Sequence, residues 1–210
     1  MVPILARVRQ SYEQVTLPLG RICARAGLTA NMLTYLSLAL SVVAGYLIAH
    51  ALFWWGVLVI LLVGLADMLD GATARATGTA SQYGTVLDHI TDRYAEFFIF
   101  AGVLLSGAVA PIWVLFALFG MVMASYVRAR AESTGMLTSC NVGIAGRQEK
   151  LALLICGLLA QPLLPQQRVL EWAVIIVGIA SHITALQRMR YTRQMLVQAD
   201  LPQEVHKNRT

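Results

Sequence analysis

The stretch DMLDGATARATGTASQYGTVLDHITD, residues 67–92, decides the fold and the chemistry expected of this chain. It places Asp67, Asp70, Asp88 and Asp92 between two long apolar segments. A carboxylate near hydrocarbon is costly unless it is paired, hydrated or bound to a cation. Folding alone does not favour four acids in this position, and they therefore indicate a functional site.

The composition outside this stretch is that of a membrane protein. Of the 210 residues, 58% are hydrophobic and 13% are charged, whereas a soluble domain carries about 25% charged residues. The mean hydropathy is +0.66. Apolar runs bounded by Gly, Pro and polar residues predict an all-α integral membrane protein with six transmembrane helices, near residues 31–50, 53–76, 83–107, 111–134, 145–164 and 168–190.

The chain divides into three parts by charge and hydropathy. Residues 1–27 are basic and amphipathic, and we expect them to form a cytoplasmic juxtamembrane helix on the bilayer surface. Residues 28–195 contain the six predicted spans and the four aspartates, and we expect them to form the functional, catalytic domain. Residues 196–210 are polar and are expected to form a cytoplasmic tail.

Positive charges are distributed unevenly between the two ends of the predicted spans. Most lie in the N-terminal segment, in 75–82, in 128–150 and in the tail after Arg188, whereas the opposite turns contain only Arg168. Because cytoplasmic loops are enriched in Lys and Arg, this pattern predicts a multi-pass protein of the cell membrane with both termini in the cytoplasm. It also explains the net charge of +5 without a nucleic-acid partner.

The spacing of the aspartates predicts that they meet at the cytoplasmic face. Asp67 and Asp70 are three residues apart and Asp88 and Asp92 are four apart, so each pair shares a helical face. A turn near Gly78 would bring the two helices together as an antiparallel hairpin. Oxygen ligands of this kind select hard divalent ions rather than zinc. Four carboxylates suit a pair of such metals that binds a phosphoryl group undergoing displacement.

Small residues and an arginine accompany the acids. The helix faces near the acids carry only small side chains, so that a bulky group can approach the backbone. These small residues are Gly71, Ala72, Ala74 and Gly84. Arg75 can donate two hydrogen bonds to a phosphate. Metal-binding carboxylates, an arginine and small residues beside them together indicate a substrate that contains a pyrophosphate.

A purely structural role and a transport role are the alternatives to a catalytic metal site. In the structural role, the acids pair with Arg75 and Arg93 and only hold the helices together, but two arginines cannot neutralise four aspartates. In the transport role, the acids mark the path of a divalent-cation transporter, since ionisable residues within membranes often line ion routes. Polar residues do not continue through the middle of the other predicted spans, which argues against a path.

Eight residues at fixed spacing match the signature of the CDP-alcohol phosphotransferases, in the order Asp67-x2-Asp70-Gly71-x2-Ala74-Arg75-x8-Gly84-x3-Asp88-x3-Asp92. The resemblance extends over most of the chain, because that family also has an amphipathic N-terminal helix followed by six spans. It implies transfer of a lipid phosphate from a CDP-linked lipid, CDP-diacylglycerol or CDP-archaeol, to an alcohol with release of CMP. It also implies a homodimer.

The resemblance further implies roles for individual residues. Two Mg²⁺ ions, or Mn²⁺, would be held by Asp67, Asp70 and Asp88 together with Asp92. The same Asp92 would be the general base that takes the proton of the attacking hydroxyl. The residues implied to bind the CDP-lipid are Asn31, Thr34, Gly71, Ala74, Arg75, Ser81 and Gly84.

Basic residues at three predicted helix ends favour an acceptor that already carries a phosphate. The positive-inside bias alone also explains basic residues in these places. The segments SYVRARAE and VGIAGRQEKL resemble prokaryotic phosphatidylinositol phosphate and archaetidylinositol phosphate synthases. This implies inositol phosphate as the acceptor, with glycerol 3-phosphate as the alternative. The acceptor phosphate would be bound by Arg130, Arg147 and Arg188, with Arg128 and Lys150 as further candidates.

Overall fold

The computed structural model describes residues 9–135, 137 and 139–199, and the secondary structure in them is helical. A short 3-10 turn, Pro165–Gln167, precedes the last helix. No strand occurs in the described residues, and the all-α prediction is confirmed. The helices are α1 Arg9–Arg25, α2 Ala30–Ala49, α3 Phe53–Thr77, α4 Gln82–Leu105, α5 Pro111–Glu132, α6 Arg147–Ala160 and α7 Val169–Ala199.

Four segments of the described chain are long and apolar enough to cross a bilayer: Ala30–Ala49, Phe53–Thr77, Pro111–Glu132 and Pro165–Val197. The protein is therefore a multi-pass membrane protein. The helix α4 does not meet the same standard, because Asp88, Asp92, Arg93 and Glu96 interrupt its apolar sequence. The helix α6 has only 14 residues. The predicted total of six spans thus stays a prediction.

Two predicted spans differ in their boundaries from the observed helices. The fifth span was expected over 145–164, but α6 begins only after Gly146 and ends at Ala160. The sixth was expected over 168–190, but α7 continues to Ala199. Hydropathy detects the apolar part of a helix and misses a polar extension beyond the membrane. Residues 1–8 of the predicted juxtamembrane helix and 200–210 of the predicted tail lie outside the described residues.

Side-chain caps and one glycine form the turn between α3 and α4. Gly78 ends α3 in the left-handed conformation, with φ of 67°, which glycine adopts without steric cost. Ser81 then caps α4, because its hydroxyl accepts a 3.0 Å hydrogen bond from the amide of Gly84. The predicted turn is confirmed, and it fixes the chain between the two pairs of aspartates.

The helix α2 packs against both α3 and α4. A side chain at Gly102 of α4 would collide with the backbone of Gly45 in α2. Such close approach between small residues is a common form of helix packing in membranes. The helix α2 thereby supports both helices that carry the aspartates.

The helices α5 and α7 form a second packed pair. The ring of His182 in α7 stacks on Phe116 in α5, with 4.4 Å between ring centroids, and its Nε2 lies 3.2 Å from the Phe116 carbonyl oxygen. Buried apolar side chains from α2 to α7 form a continuous core between this pair and the aspartate helices, among them Ile48, Ile60 and Val177.

The helix α1 packs on α3 next to the aspartate turn. A Cβ atom added at Gly20 would lie 2.8 Å from the backbone nitrogen of Thr73 and still closer to the backbone of Ala72. The two backbones are therefore in direct contact, and Gly20 is required for this contact.

Candidate active site

Three of the four aspartates come together as the sequence predicts. One carboxylate oxygen from each of Asp67, Asp70 and Asp88 lies within 4.8 Å of the other two. Asp70 is buried, while Asp67 and Asp88 are partly exposed. Carboxylates this close repel one another unless a cation lies among them. An all-oxygen set of this kind fits a hard divalent ion such as Mg²⁺ or Mn²⁺.

A threonine of α2 supports this cluster. The hydroxyl of Thr34 donates a 2.7 Å hydrogen bond to Oδ2 of Asp70, and both residues are buried. A hydrogen bond of this kind fixes the orientation of a ligand before the metal binds. Thr34 was predicted to bind the nucleotide, and that role stays a prediction.

The fourth aspartate has a different environment. Oδ1 of Asp92 lies 2.6 Å from Nη2 of Arg147, and Oδ2 lies 3.9 Å from Nη2 of Arg93. Only 9% of the residue is exposed. The first contact links the start of α6 to α4 through an ion pair, and it places a positive charge directly beside the predicted base.

A buried glutamate, which the sequence interpretation did not identify, lies one turn further along α4. Oε1 of Glu96 is 3.4 Å from Nε of Arg147, and Oε2 is 2.8 Å from Nη1 of Arg93. Arg93 also donates a 2.8 Å hydrogen bond to Ser125 of α5. An acid four residues after Asp92, within an apolar helix, is the signal that could have identified it.

The residues predicted to bind the CDP-lipid surround the α3–α4 turn. The guanidinium of Arg75 lies over Gly71, where an added Cβ would be 3.1 Å from Nη1. Arg75 and Ser81 are exposed, and the hydroxyl of Ser81 serves as the cap of α4. Ala74 and Gly84 are partly exposed, and Asn31 is exposed at the start of α2. Their contacts with a nucleotide stay predictions.

Two of the predicted acceptor-binding residues hold the segment between α5 and α6. Arg188 is buried and donates hydrogen bonds of 2.6 Å to the carbonyl of Ala124 and 3.0 Å to that of Val142. Arg128 donates a 3.0 Å hydrogen bond to Glu132. The same Glu132 oxygen accepts a 3.0 Å hydrogen bond from the amide of Cys140. These side chains connect the C-terminal part of α5 to α7 and to the segment before α6.

The other three basic residues occupy different places. Arg147 contacts the aspartates Asp67 and Asp92. Arg130 is exposed and lines a groove of about 470 Å³ between the last turns of α5 and α7. Lys150 is buried, and with Asp67, Glu96 and Arg147 it lines the polar end of a cavity of about 130 Å³ inside the bundle. A shared role in acceptor binding stays a prediction.

Comparison with known proteins identifies the class of this chain. The CDP-alcohol phosphatidyltransferase family matches residues 27–191. This chain therefore belongs to the CDP-alcohol phosphatidyltransferase family, and it is a transferase of phospholipid biosynthesis.

Two relatives to which this chain is similar are both inositol phosphate lipid synthases. The chain is 33% identical over 202 residues to the phosphatidylinositol phosphate synthase of Mycolicibacterium smegmatis, a match that covers 92% of this chain and 90% of that protein. It is 33% identical over 175 residues to the archaetidylinositol phosphate synthase of Methanothermobacter thermautotrophicus, with coverage of 83% and 88%.

Solved structures of a third relative show the same fold. The crystal structure of Mycobacterium tuberculosis phosphatidylinositol phosphate synthase with CDP-DAG bound matches with a TM-score of 0.77 at 31% identity, over 85% of this chain and 94% of that one. The same protein in complex with manganese and citrate matches with a TM-score of 0.76 at 31% identity, over 84% and 88%.

Proposed function

We propose that the enzyme transfers the lipid phosphate of a CDP-linked lipid to a hydroxyl of inositol phosphate and releases CMP. The observation that carries this proposal is the convergence of Asp67, Asp70 and Asp88 in a chain that matches inositol phosphate lipid synthases over most of its length. The donor is CDP-diacylglycerol or CDP-archaeol, because the relatives include synthases of both kinds of lipid.

The proposed metal site consists of Asp67, Asp70 and Asp88, with Asp92 at its edge. Two Mg²⁺ ions, or Mn²⁺, fit this donor set, which offers oxygen ligands only. When bound, such ions stabilise negative charge on the donor pyrophosphate as CMP departs. Thr34 keeps the carboxylate of Asp70 oriented for this purpose.

Asp92 is the proposed general base. It accepts the proton of the acceptor hydroxyl, whose oxygen forms a bond to the β-phosphorus, the one that bears the lipid. The bond between that phosphorus and the oxygen that bridges to the α-phosphorus breaks, and CMP leaves with the electron pair. Its place beside the three clustered carboxylates suits this role, because the hydroxyl that it deprotonates must reach the phosphorus of a pyrophosphate that would bind at that cluster.

The donor nucleotide is proposed to bind at the α3–α4 turn. The guanidinium of Arg75 is exposed there and can donate two hydrogen bonds to a phosphate. A Cβ added at Gly71 or Gly84 would lie 3.1 Å from Nη1 of Arg75 or 3.2 Å from the hydroxyl of Ser81, so both glycines let these proposed ligands lie close to the backbone. The full set proposed for the CDP-lipid is Asn31, Thr34, Gly71, Ala74, Arg75, Ser81 and Gly84.

The acceptor phosphate is proposed to bind to basic residues of α5, α6 and α7. Arg147 supports this assignment most directly, because its guanidinium lies 2.6 Å from Asp92 and a phosphate bound there would bring the sugar hydroxyl to the base. The full set is Arg130, Arg147, Arg188, Arg128 and Lys150.

The proposed placement in the cell follows from charge and hydropathy. Six spans cross the cell membrane, residues 1–27 lie along its surface, and both termini and the active site face the cytoplasm. Inositol phosphate then reaches the site from the cytoplasm, while the lipid donor enters from the bilayer. The enzyme is proposed to form a homodimer.

The test is CMP release by the enzyme purified in detergent, with Mg²⁺ and CDP-diacylglycerol. Inositol 1-phosphate, glycerol 3-phosphate, serine and free inositol are supplied one at a time, with Asp92→Asn as the inactive control. The lipid product is identified in each reaction, and we expect CMP release coupled to transfer onto the acceptor with inositol 1-phosphate alone. Release with glycerol 3-phosphate instead would reassign the acceptor, and absence of release with every acceptor and with CDP-archaeol would contradict the proposal. Metal flux across vesicles without CMP release would instead indicate a transporter.

A further inference from the structure

Arg147 contacts three carboxylates through three different nitrogens. Its Nη2 lies 2.6 Å from Asp92 Oδ1, its Nη1 lies 3.3 Å from Asp67 Oδ2, and its Nε lies 3.4 Å from Glu96 Oε1. The first partner is the proposed base, and the second belongs to the three-carboxylate cluster. One side chain at the start of α6 therefore connects both parts of the site.

The contact with Arg147 covers the carboxylate of Asp92, the proposed base. One oxygen of Asp92 is engaged by Arg147, and the other faces Arg93 at 3.9 Å. Asp92 as a whole is buried from solvent. To accept a proton, a general base must come within hydrogen-bond distance of the hydroxyl that it deprotonates. Arg147 occupies the position from which a hydroxyl would reach Oδ1.

The third contact of Arg147 differs from the other two. Glu96 lies deeper in α4 and is only 6% exposed. Its other oxygen is fixed at 2.8 Å from Arg93, which in turn is bonded to Ser125 of α5. Glu96 is thus buried between two arginines with which it forms ion pairs, and its charge can retain Nε of Arg147 while the two terminal nitrogens change partners.

A phosphate monoester is a better partner for those terminal nitrogens than two separate carboxylate oxygens. It carries a charge of about −1.5 to −2 at neutral pH and presents three acceptor oxygens. A guanidinium binds such a group with two parallel hydrogen bonds. A phosphorylated acceptor that enters the site can therefore take Nη1 and Nη2 away from Asp67 and Asp92.

We propose that Arg147, anchored by Glu96, blocks Asp92 until the phosphate of the acceptor withdraws the guanidinium. Glu96 is a positioning residue in this arrangement, because it acts through Arg147 and does not touch the substrate. The inference rests on the proposed function in two respects, the role of Asp92 as base and the presence of a phosphate on the acceptor.

The arrangement protects the CDP-lipid from water. A free Asp92 could deprotonate a water molecule, whose oxygen would then form a bond to the β-phosphorus. The bond from that phosphorus to the bridging oxygen would break, giving phosphatidate and CMP in place of the transfer product. Because Arg147 covers the base in the absence of acceptor, this hydrolysis is suppressed until the correct nucleophile is present.

The test measures phosphatidate and CMP from CDP-diacylglycerol with Mg²⁺ in detergent, without any acceptor. We expect Arg147→Gln and Glu96→Gln to hydrolyse the lipid about tenfold faster than the unmodified enzyme, or more, because the base is released. Transfer to inositol 1-phosphate should fall about tenfold or more in both. Arg147→Lys keeps the charge but has only one side-chain nitrogen. Its rates of hydrolysis and of transfer should lie between those of Arg147→Gln and of the unmodified enzyme. Arg190→Gln, an exposed arginine of α7, is the matched control and should change neither rate.

A second measurement uses the unmodified enzyme and does not depend on how the variants fold. Inorganic phosphate, at concentrations that compete with inositol 1-phosphate for transfer, should stimulate hydrolysis of the CDP-lipid. Hydrolysis that stays constant or falls in folded Arg147→Gln and Glu96→Gln would overturn the proposal, and so would the absence of stimulation by phosphate. If the enzyme fails to use inositol 1-phosphate, the proposed function fails, whereas the acceptor-free comparison still tests the block on Asp92.

Discussion

Thr34 on α2 donates a 2.7 Å hydrogen bond to Asp70 on α3. The helix α2 contains no acidic residue, yet it sets the orientation of one carboxylate in the three-aspartate cluster. Because α2 also packs closely on α4, it is the common support for the two helices that carry the acids. The metal site is thus built on three helices rather than on the hairpin alone.

Replacing Thr34 with Val should weaken Mn²⁺ binding about 10–100-fold, because loss of an outer hydrogen bond leaves a metal ligand free to rotate. Thr34→Ser should retain most of the affinity. The measurement is the concentration of free Mn²⁺ by electron paramagnetic resonance during titration in detergent. Ser41→Ala is the control, since Ser41 is buried on the same helix but bonds only to the carbonyl of Leu38 at 2.6 Å among the contacts described. Normal Mn²⁺ affinity in Thr34→Val would contradict the prediction.

The aspartates should separate into two functional types. Asp92→Asn should lower CMP release about 10²–10⁴-fold, as expected for loss of a general base, and should still bind at least one Mn²⁺. Asp70→Asn should lose both CMP release and tight Mn²⁺ binding, because Asp70 lies inside the three-carboxylate cluster. Titration calorimetry measures the affinity of each variant for Mn²⁺. Equal loss of metal binding in the two variants would show that Asp92 is as essential to the cluster as Asp70.

The spacing of the acids was sufficient to predict that Asp67, Asp70 and Asp88 come together. Intervals of three and four residues place side chains on one helical face, and Gly78 and Ser81 mark the turn between the helices. These relationships join residues that are close together in the chain, so they can be inferred from the sequence without the tertiary structure. The helical class and the membrane environment follow in the same way from apolar runs.

The surroundings of Asp92 could not be predicted in this way. Arg147 lies 55 residues after Asp92 in the chain, and their contact depends on how α6 packs in the bundle. The sequence indicates that Arg147 is basic and near the cytoplasmic end of a helix, which fits a phosphate ligand equally well. Glu96 could have been noticed as an acid in an apolar helix, but its two arginine partners depend on the tertiary structure.

Arg188 should prove to be important for stability. Its two hydrogen bonds to backbone carbonyls join α7 to α5 and to the segment before α6. Arg188→Gln should reduce the free energy of unfolding by about 1–3 kcal/mol, since a buried carbonyl loses its partner. Unfolding by SDS in mixed micelles measures this change, with Arg190→Gln as the exposed control. A variant of unchanged stability that fails to bind inositol phosphate would instead assign Arg188 to the substrate alone.

Close contact between α2 and α4 should not tolerate a larger residue at Gly102. An added Cβ would lie 2.8 Å from the Cα of Gly45, where only backbone atoms could move. Gly102→Ala should therefore destabilise the protein by about 1–3 kcal/mol. Gly64→Ala is the matched control, because no atom of another helix lies within 4 Å of its added Cβ. The same SDS titration measures both, and equal stability of the two variants would contradict the prediction.

The contact of Gly20 with the backbone of Ala72 has a consequence for the biogenesis of the enzyme. The ribosome completes α1 long before α3, and the surface of α3 against which Gly20 packs does not exist until residue 72 has been synthesised. The N-terminal helix must therefore remain undocked during the early part of translation. Its docking against Ala72 and Thr73 is a late event, which can take place only after α3 has been synthesised.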